Sequence, residues 1–231
     1  MSQRARVGPR RTLAPGVAAR GRIIRPVPDF AQPLRETDVD LDPLRQFAIW
    51  FAAAARTGVR EPEAAALATC SAEGSPSLRM VLIKRYDAHG FVFFTNYESR
   101  KGRELAQNPR AALLFYWDPL GRQVRIEGAV QPTSAAESAQ YVRERPRGSQ
   151  LSALASPQSR PVQSRAELEQ RVAELAAAHQ DGELPLPKAW GGYRLLPANY
   201  EFWQNREDRL HDRLRYAGGE GGRWRIERLA P

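Results

Sequence analysis

Hydrophobic and polar residues alternate with two different periods along this chain, and the period changes near residue 65. Before that point, the segment DLDPLRQFAIWFAAAARTG supplies an apolar side of a helix, made of Leu44, Phe47, Ile49, Trp50 and Phe51. Asp42 is suited to cap this helix and Pro43 to occupy its first turn. The segment is therefore predicted to form an amphipathic helix.

From residue 65 the pattern becomes that of short strands separated by turns. Five strand-like segments follow at short intervals: AALATCSA, SLRMVLIKRYD, GFVFFTN, RAALLFYWD and RQVRIEGAVQPT. The turn sequences AEGSPS, DAHG and DPLG separate them. Four more strands are predicted near the end, in GGYRLLP, NYEFWQ, DRLHDRLRY and RWRIERL. Strands spaced so closely favour an antiparallel barrel or sandwich over a parallel sheet.

Three further helices are predicted among these strands. The segment SRKGRELAQNP has Ser99 as its cap and Pro109 just beyond its end. The segment SAAESAQYVRER is stopped by Pro146, and SRAELEQRVAELAAAHQ carries Leu168 and Val172 at helical spacing. The predicted fold class is therefore mainly β with flanking helices.

The composition fits a globular protein of one domain. Hydrophobic residues make up 42% and charged residues 26% of the 231 residues, as in an ordinary globular chain with a substantial core. No apolar run approaches the ~20 residues that span a bilayer, and no signal-peptide core is visible, so no membrane partner is expected. The single cysteine, Cys70, fits a reducing compartment, and a cytoplasmic location is predicted. The three histidines are scattered, so no metal site is expected.

The net charge of +9 comes mainly from the start of the chain. Residues 1–28 contain seven arginines and no acidic residue, whereas the rest of the chain contains 28 basic and 26 acidic residues. A segment rich in Pro, Gly, Ala and Arg buries too little apolar surface to become ordered. Residues 1–35 are therefore predicted to be a disordered tail and residues 36–231 a single domain. The balanced charge of that domain argues against nucleic acid as a partner.

Two cations bracket the strand segment RMVLIK. Alternation divides it into two faces, with Arg79, Val81 and Ile83 on one and Met80, Leu82 and Lys84 on the other. Such cations commonly form salt bridges at a surface. They also suit a ligand with a flat apolar centre and an anionic end, and the segment that follows favours this second interpretation.

The segment TNYESRKGREL runs from the end of a strand into the start of a helix, with Arg100 and Lys101 in the first turn. Free amides and the helix dipole attract anions at that point. Cations there are unfavourable by up to about 1 kcal/mol unless an anion neutralises them. The pair is therefore a candidate phosphate site.

A second candidate anion site lies in YVRERPRGSQ and the later segment SPQSR. Tyr141 and Arg145 are four residues apart on one face of a helix, and Ser149 is expected in the loop beyond it. An arginine, a phenol and a hydroxyl that converge at a helix end can bind a phosphate. Gln158 and Ser159 add neutral hydrogen-bonding groups in another loop.

The C-terminal segment REDRLHDRLRY gathers cations around one of the three histidines. As a strand, it places Arg209, His211, Arg213 and Arg215 on one face and Leu210, Asp212, Leu214 and Tyr216 on the other. Like charges ~7 Å apart on one face repel unless something anionic lies between them. A solvated edge strand is the ordinary interpretation of this segment, and a ligand-binding face is the alternative.

In this order, these segments resemble the pyridoxamine 5′-phosphate oxidase family of flavin enzymes. The resemblance covers about residues 42–231, through RMVLIK, FFTNYESRKGREL, RQVRIEGAV, RPRGSQ, PQS, PLPKAWGGYRL, EFWQ and RLHDRLRY, with RLAP at the end. It implies an FMN-binding split β-barrel, antiparallel and Greek-key-like, that works as a homodimer with FMN at the subunit interface. The C-terminal segment would then serve dimerisation and substrate binding.

The resemblance also implies an activity and two sets of site residues. The activity is FMN-dependent oxidation of pyridoxamine 5′-phosphate and pyridoxine 5′-phosphate to pyridoxal 5′-phosphate, with O2 as acceptor and H2O2 as product. The FMN set consists of Arg79, Met80, Val81, Leu82, Ile83, Lys84, Phe94, Thr95, Arg100, Lys101, Gln123, Gln158, Ser159, Trp203 and Arg213. The substrate set consists of Lys84, Tyr141, Arg145, Ser149, Arg209, Leu210 and His211.

Two residues of the substrate set are the expected catalytic residues. Arg209 would place the reacting carbon, C4′, beside flavin N5, and His211 would hydrogen-bond the substrate. A cation near flavin N1, either Arg79 or Arg213, would stabilise the reduced flavin.

Two features depart from the family pattern, and two functional alternatives stay open. The stretch RIIRPVPDF lacks the tyrosine of an RREY-like segment, so no lid residues are predicted, and Phe94 stands where tyrosine is common. One alternative is a related split-barrel flavin oxidase that acts on another ring, as in phenazine synthesis. The other is a non-catalytic carrier of flavin or vitamin B6.

Overall fold

The elements of the fold are taken from a computed structural model, which describes residues 32–180, 182–218 and 223–231. In chain order they are α1 (Pro43–Arg56), β1 (Ala64–Cys70), β2 (Pro76–Asp87), β3 (Gly90–Asn96), α2 (Arg100–Gln107), β4 (Arg110–Trp117), β5 (Arg122–Pro132), α3 (Ala135–Glu144), α4 (Arg147–Ala155), α5 (Arg165–Ala178), β6 (Trp190–Gln204), β7 (Asp212–Gly218) and β8 (Trp224–Arg228). Short 3-10 turns at Asp118–Leu120 and Glu207–Arg209 precede β5 and β7.

Six strands close into an antiparallel barrel, which confirms the predicted fold class. Their order is β3-β2-β1-β4-β5-β6, and β3 also pairs with β6. The two predicted strands GGYRLLP and NYEFWQ form one continuous strand, the 15-residue β6. Its first half pairs with β3 and its second half with β7, so β7 and β8 extend the sheet beyond the barrel.

A bulge between β5 and β6 explains how β6 tolerates a proline inside the sheet. The pairing register shifts between Glu127 and Gly128, and Gly128 then lies opposite Pro197. Proline cannot donate to a strand ladder and is found at bulges and edges. The close approach also requires glycine, because a Cβ at position 128 would lie 1.9 Å from the Leu196 carbonyl oxygen.

The first helix, α1, closes the barrel core with aromatic side chains. Asp42 accepts a hydrogen bond from the Leu44 N–H at 2.9 Å, which confirms the predicted cap. Phe47 is fully buried, and its ring centre lies 4.9 Å from that of Phe91 and 5.0 Å from that of Phe115. The predicted apolar side therefore seals the barrel through Phe47 and Trp50, but the prediction for Ile49 is wrong, because that side chain is exposed.

The remaining helices follow the predictions with one exception. Ser99 caps α2 and α3 ends before Pro146, both as predicted. The expected loop around Ser149 is wrong, because Ser149 lies in the first turn of α4 and its N–H bonds to the Pro146 carbonyl at 2.8 Å. Proline cannot continue the helix that precedes it, because it lacks a backbone N–H, but its fixed φ angle suits the start of a new helix. Pro146 therefore separates two helices.

The interpretation of Arg209 and His211 as strand residues on one face with Arg213 is wrong. β6 and β7 pair antiparallel up to Gln204 and Asp212, so the residues between them must reverse the chain. Arg209 lies in the 3-10 turn with a left-handed backbone (φ 62°), and His211 precedes β7. Alternation holds only from Asp212 onward.

The predicted disordered tail lies outside the described residues except for residues 32–35. Within that stretch Leu34 is buried, and its N–H donates to the Asp212 carboxylate at 3.1 Å. Its carbonyl accepts a hydrogen bond from Arg228 at 2.8 Å. No helix in the described ranges is long and apolar enough to cross a membrane.

Candidate active site

Strand β2 presents the two faces that alternation predicts. Arg79, Val81 and Ile83 turn toward the barrel, and the side chains of Met80, Leu82 and Lys84 are exposed on its outer face. The outward residues continue across β1 and β4, because Met80 pairs with Ala66 and Ala66 with Leu114.

Arg79 and Arg100 share one buried carboxylate, that of Glu104. Arg79 approaches one carboxylate oxygen at 3.3 Å, and the Arg100 Nε donates to the other at 2.8 Å. Thr69 and Ser77 also donate to Glu104. Burial favours the neutral acid, but hydrogen bonds from Ser77, Thr69 and the two arginines outweigh it and lower the pKa of Glu104 to about 2.

Lys101 differs from Arg79 and Arg100 because its hydrogen-bond partners in the described part of the chain are all neutral. Its Nζ lies 3.1 Å from Thr95 Oγ1, 3.0 Å from Gln158 Oε1 and 3.5 Å from Ser99 Oγ. Burial, followed by the nearby charge of Arg79, lowers the pKa of Lys101 to about 8. An anion placed here would remove that penalty. The structure thus joins Thr95, Lys101 and Gln158, with Ser159 next along the loop.

A second cationic group is Arg145, at the end of α3. Its guanidinium lies over the Trp190 ring at 4.3 Å, and its buried Nη1 has no hydrogen-bond partner among the described residues. A buried donor left unpaired is costly, so this atom points to a missing acceptor. Burial lowers the pKa of Arg145.

Tyr141 and Phe94 form a parallel stack one helical turn before Arg145. Their ring centres are 3.7 Å apart and their planes differ by 10°. Burial raises the pKa of Tyr141, although the charge of Arg145 opposes this, so the phenol keeps its proton and can donate a hydrogen bond. Ser149 is half-buried in the first turn of α4, and Lys84 is exposed on β2.

A third group of expected site residues lies farther around the sheet, on β5, β6 and β7. Gln123, Trp203 and Arg213 are aligned across β5, β6 and β7 and line a cavity of about 220 Å³. The Arg213 Nε donates to Glu201 at 2.8 Å, and this hydrogen bond raises the pKa of Arg213.

His211 contacts this third group through Trp203. The two ring centres are 4.7 Å apart. The His211 Nδ1 lies 3.1 Å from the Arg206 N–H and accepts its hydrogen bond, so a neutral His211 carries its proton on Nε2. Arg209 and Leu210 beside it are exposed.

Within one protomer the expected FMN residues therefore fall into two separated groups. β1 and β4 lie between β2 and β5, a separation of roughly 14 Å at the usual strand spacing. The outer sheet face between the groups carries exposed apolar side chains: Leu78, Met80, Leu82, Leu114 and Tyr116. Contiguous apolar surface of this kind marks an interaction site.

Three site residues were not singled out from the sequence: Glu104, Trp190 and Glu201. Glu104 follows Arg100 by four residues on a predicted helix, so helical spacing was a signal for it. Trp190 and Glu201 reach their arginines through tertiary structure, and no local pattern indicates them.

The closed six-stranded barrel with flanking helices is the split-barrel fold. A pyridoxamine 5′-phosphate oxidase-related, FMN binding protein from Nostoc punctiforme PCC 73102 has this fold, with a TM-score of 0.64 and 19% identity over 84% of this chain and 100% of that chain. PhzG from Burkholderia lata 383, in complex with tetrahydrophenazine-1-carboxylic acid, has a TM-score of 0.79 and 37% identity over 84% of this chain and 95% of that one.

Sequence comparison then assigns the family. Residues 51–179 match the family model described as pyridoxamine 5′-phosphate oxidase, and residues 190–231 match the pyridoxine 5′-phosphate oxidase C-terminal dimerisation region. A pyridoxine/pyridoxamine 5′-phosphate oxidase of Rubrobacter xylanophilus is 56% identical over 86% of this chain and 91% of its own length. Another, from a Janthinobacterium species, is 54% identical over 88% of this chain and 96% of its own length. The chain belongs to the pyridoxamine 5′-phosphate oxidase family and is an oxidoreductase.

Proposed function

We propose that this chain is an FMN-dependent oxidase that converts pyridoxine 5′-phosphate and pyridoxamine 5′-phosphate to pyridoxal 5′-phosphate. One observation carries the proposal: two partly buried cationic groups, at Lys101 and at Arg145, lack an anionic partner among the described residues. Two phosphate monoesters, one on FMN and one on the substrate, would supply those partners.

The residues around Lys101 suit the phosphate of FMN. Thr95, Lys101 and Gln158 already form one hydrogen-bonded group. The start of α2 adds free amides, which attract an anion. Arg100, which is more than half exposed, can reach a ligand while its Nε stays bound to Glu104.

The residues around Arg145 suit the substrate phosphate. The unpaired Nη1 and the protonated phenol of Tyr141 are donors, and Ser149 adds a hydroxyl at the start of α4. The cation–π contact with Trp190 holds the guanidinium in place. An unphosphorylated ring would leave the buried Nη1 unpaired, so this group favours the phosphorylated vitamin.

A homodimer would join the two groups of FMN residues. The residues that match a dimerisation region include β6 and β7, which carry Trp203 and Arg213. If the apolar outer face of β2, β1 and β4 pairs with a second copy, Gln123, Trp203 and Arg213 of one subunit can lie near Lys101 of the other. FMN would then bind at the subunit interface.

The protein's own contribution to the reaction is orientation and hydrogen bonding. FMN, when bound, would accept a hydride from C4′ of the substrate and pass the electrons to O2. An alcohol and O2 then give an aldehyde and H2O2, whereas the amine also consumes water and releases ammonium. His211 would donate from Nε2 to the substrate, and Arg209 would hold the ring in place, an effect that can lower the barrier substantially.

A comparison of two arginines at the end of α3, Arg143 in its last turn and Arg145 at its C-cap, tests the proposal. Arg145→Ala should raise the KM for pyridoxine 5′-phosphate at least about tenfold, because it removes a charge-assisted hydrogen bond, while FMN stays bound. Arg143→Ala, an exposed change on the same helix, is the matched control. H2O2 and aldehyde are measured together in a coupled assay.

Two outcomes would contradict this function. Wild-type protein that binds FMN but yields neither H2O2 nor aldehyde from either phosphorylated substrate would exclude the reaction. Equal KM values for the Arg145 and Arg143 variants would exclude Arg145 as the substrate phosphate ligand.

A further inference from the structure

Glu104 is a buried carboxylate at the centre of the candidate FMN phosphate site. It is 6% exposed and lies on α2, one helical turn after Arg100. One of its oxygens accepts from Arg100, and the other accepts from Arg79, Thr69 and Ser77. A ligand is therefore not needed to satisfy this carboxylate.

These contacts fix the Arg79 side chain in particular. Its guanidinium donates to Glu104, to the hydroxyls of Thr69 and Ser77, and to the Leu67 carbonyl at 3.1 Å. Burial lowers the pKa of Arg79, and the Glu104 carboxylate opposes that effect. A planar guanidinium bound on several sides is held in one orientation.

Glu104 also sets the charge of the site. Arg79, Arg100 and Lys101 are three cations, and Glu104 is the carboxylate that Arg79 and Arg100 share. Two positive charges therefore stay uncompensated, which matches the charge of nearly −2 on a phosphate monoester at pH 7. Lys101 does not contact Glu104 directly and is left to meet the anion.

We infer that Glu104 is a positioning residue for phosphate recognition, which orients Arg79 and Arg100 so that the site binds FMN in preference to riboflavin. The inference rests on the proposed function, because it places the FMN phosphate at this site. The role requires no contact between Glu104 and the cofactor. The consequence is that Glu104 contributes to affinity only when the flavin carries a phosphate.

The experiment compares FMN and riboflavin binding in matched variants. The apoprotein is titrated with each flavin, and quenching of flavin fluorescence gives both values of Kd. Glu104→Gln should reduce the ratio of FMN affinity to riboflavin affinity by about tenfold, the scale of one charge-assisted hydrogen bond. Riboflavin affinity should stay unchanged, whereas a general loss of structure would weaken both flavins.

Two further variants make the result decisive. Glu98→Gln, an exposed change just before α2 whose carboxylate pairs with Arg160, should leave the ratio at its wild-type value. Ser77→Ala removes one hydroxyl from the network but keeps the Arg79–Glu104 pair, so it should reduce the ratio by about threefold, less than the loss of the carboxylate itself. If Glu104→Gln does not fold, the ratio measured for Ser77→Ala decides the test instead.

The failures of the inference and of the proposed function are distinguishable. If wild-type protein binds riboflavin as tightly as FMN, the phosphate site itself is wrong. If wild-type protein prefers FMN and Glu104→Gln or Ser77→Ala keeps the full preference, the site stands and the role of Glu104 is overturned.

Discussion

Lys101 carries its charge in a partly buried position, and this has a consequence for pH. Burial and the charge of Arg79 lower its pKa from 10.5 to about 8. A lowered pKa means that the folded apoprotein releases this proton before the unfolded chain does. Between about pH 8 and 10.5 the unfolded state therefore binds more protons, and this group makes the free energy of unfolding rise with pH.

FMN binding should show the opposite trend with pH. A phosphate at Lys101 favours the ammonium form, so binding above about pH 8 requires proton uptake. We expect FMN affinity to fall by up to about tenfold per pH unit above that value, while riboflavin affinity changes little. Titrations from pH 7 to pH 10 measure both.

The controls for this prediction are two lysine variants. Lys101→Met should weaken FMN binding at pH 7 and remove the pH dependence. Lys188→Met, an exposed change, should preserve the wild-type profile. A profile that persists in the Lys101 variant would assign the titration to another group.

At the scale of single elements, the bulge between β5 and β6 leaves no room for a side chain at position 128. Gly128→Ala would place a Cβ 1.9 Å from the Leu196 carbonyl oxygen, so one of the paired strands must shift. We expect a loss of about 1–3 kcal/mol in the free energy of unfolding, the range for local strain and overpacking. Urea unfolding followed by tryptophan fluorescence measures it.

Gly148→Ala is the matched control for this change. Position 148 lies in the first turn of α4 with no atom within 4 Å of an added Cβ. In Gly148→Ala the free energy of unfolding should rise by about 0.5–1 kcal/mol, because alanine is the better helix former. Equal effects at the two glycines would contradict the role of the bulge.

The elements that were correctly predicted from the sequence are those whose signals are contained within one turn or one strand. The caps Asp42 and Ser99 and the two faces of β2 are of this kind. The turn before β7 was missed because the alternation of Arg209 and His211 continues through it. Only the pairing of β6 with β7 shows that the chain must reverse there.

The candidate site shows the same division. The sequence placed Lys101 at a helix start, which is local, but its partner Gln158 lies 57 residues further along the chain. Glu201 reaches Arg213 through the register of two strands. Contacts of this kind depend on tertiary structure, and the prediction that Gln158 and Arg213 belong to one site comes from the family resemblance alone.

At the scale of the whole molecule, the apolar outer face of β2 predicts how assembly and cofactor binding are linked. Leu78 is 69% exposed on that face. Leu78→Arg would place a charge in the proposed dimer interface, so we expect monomers and weaker FMN retention together. Sedimentation velocity and flavin absorbance of the purified protein measure both.

Leu41→Arg is the control for this prediction. Leu41 is also highly exposed, at 78%, but it lies before α1 and lines a cavity with Tyr200 and Trp224 that does not include Leu78. The variant should stay dimeric and yellow. A Leu78→Arg protein that becomes monomeric yet retains FMN would show that the cofactor binds within one subunit.

The double role of β6 limits how this protein can be divided. The matched C-terminal region begins at Trp190, the first residue of β6, yet that strand also completes the barrel by pairing with β3 and β5. A fragment ending at residue 189 would expose two unpaired strand edges, which are templates for aggregation. The two matched regions are therefore one cooperative unit, and neither is a module that could be exchanged or expressed alone.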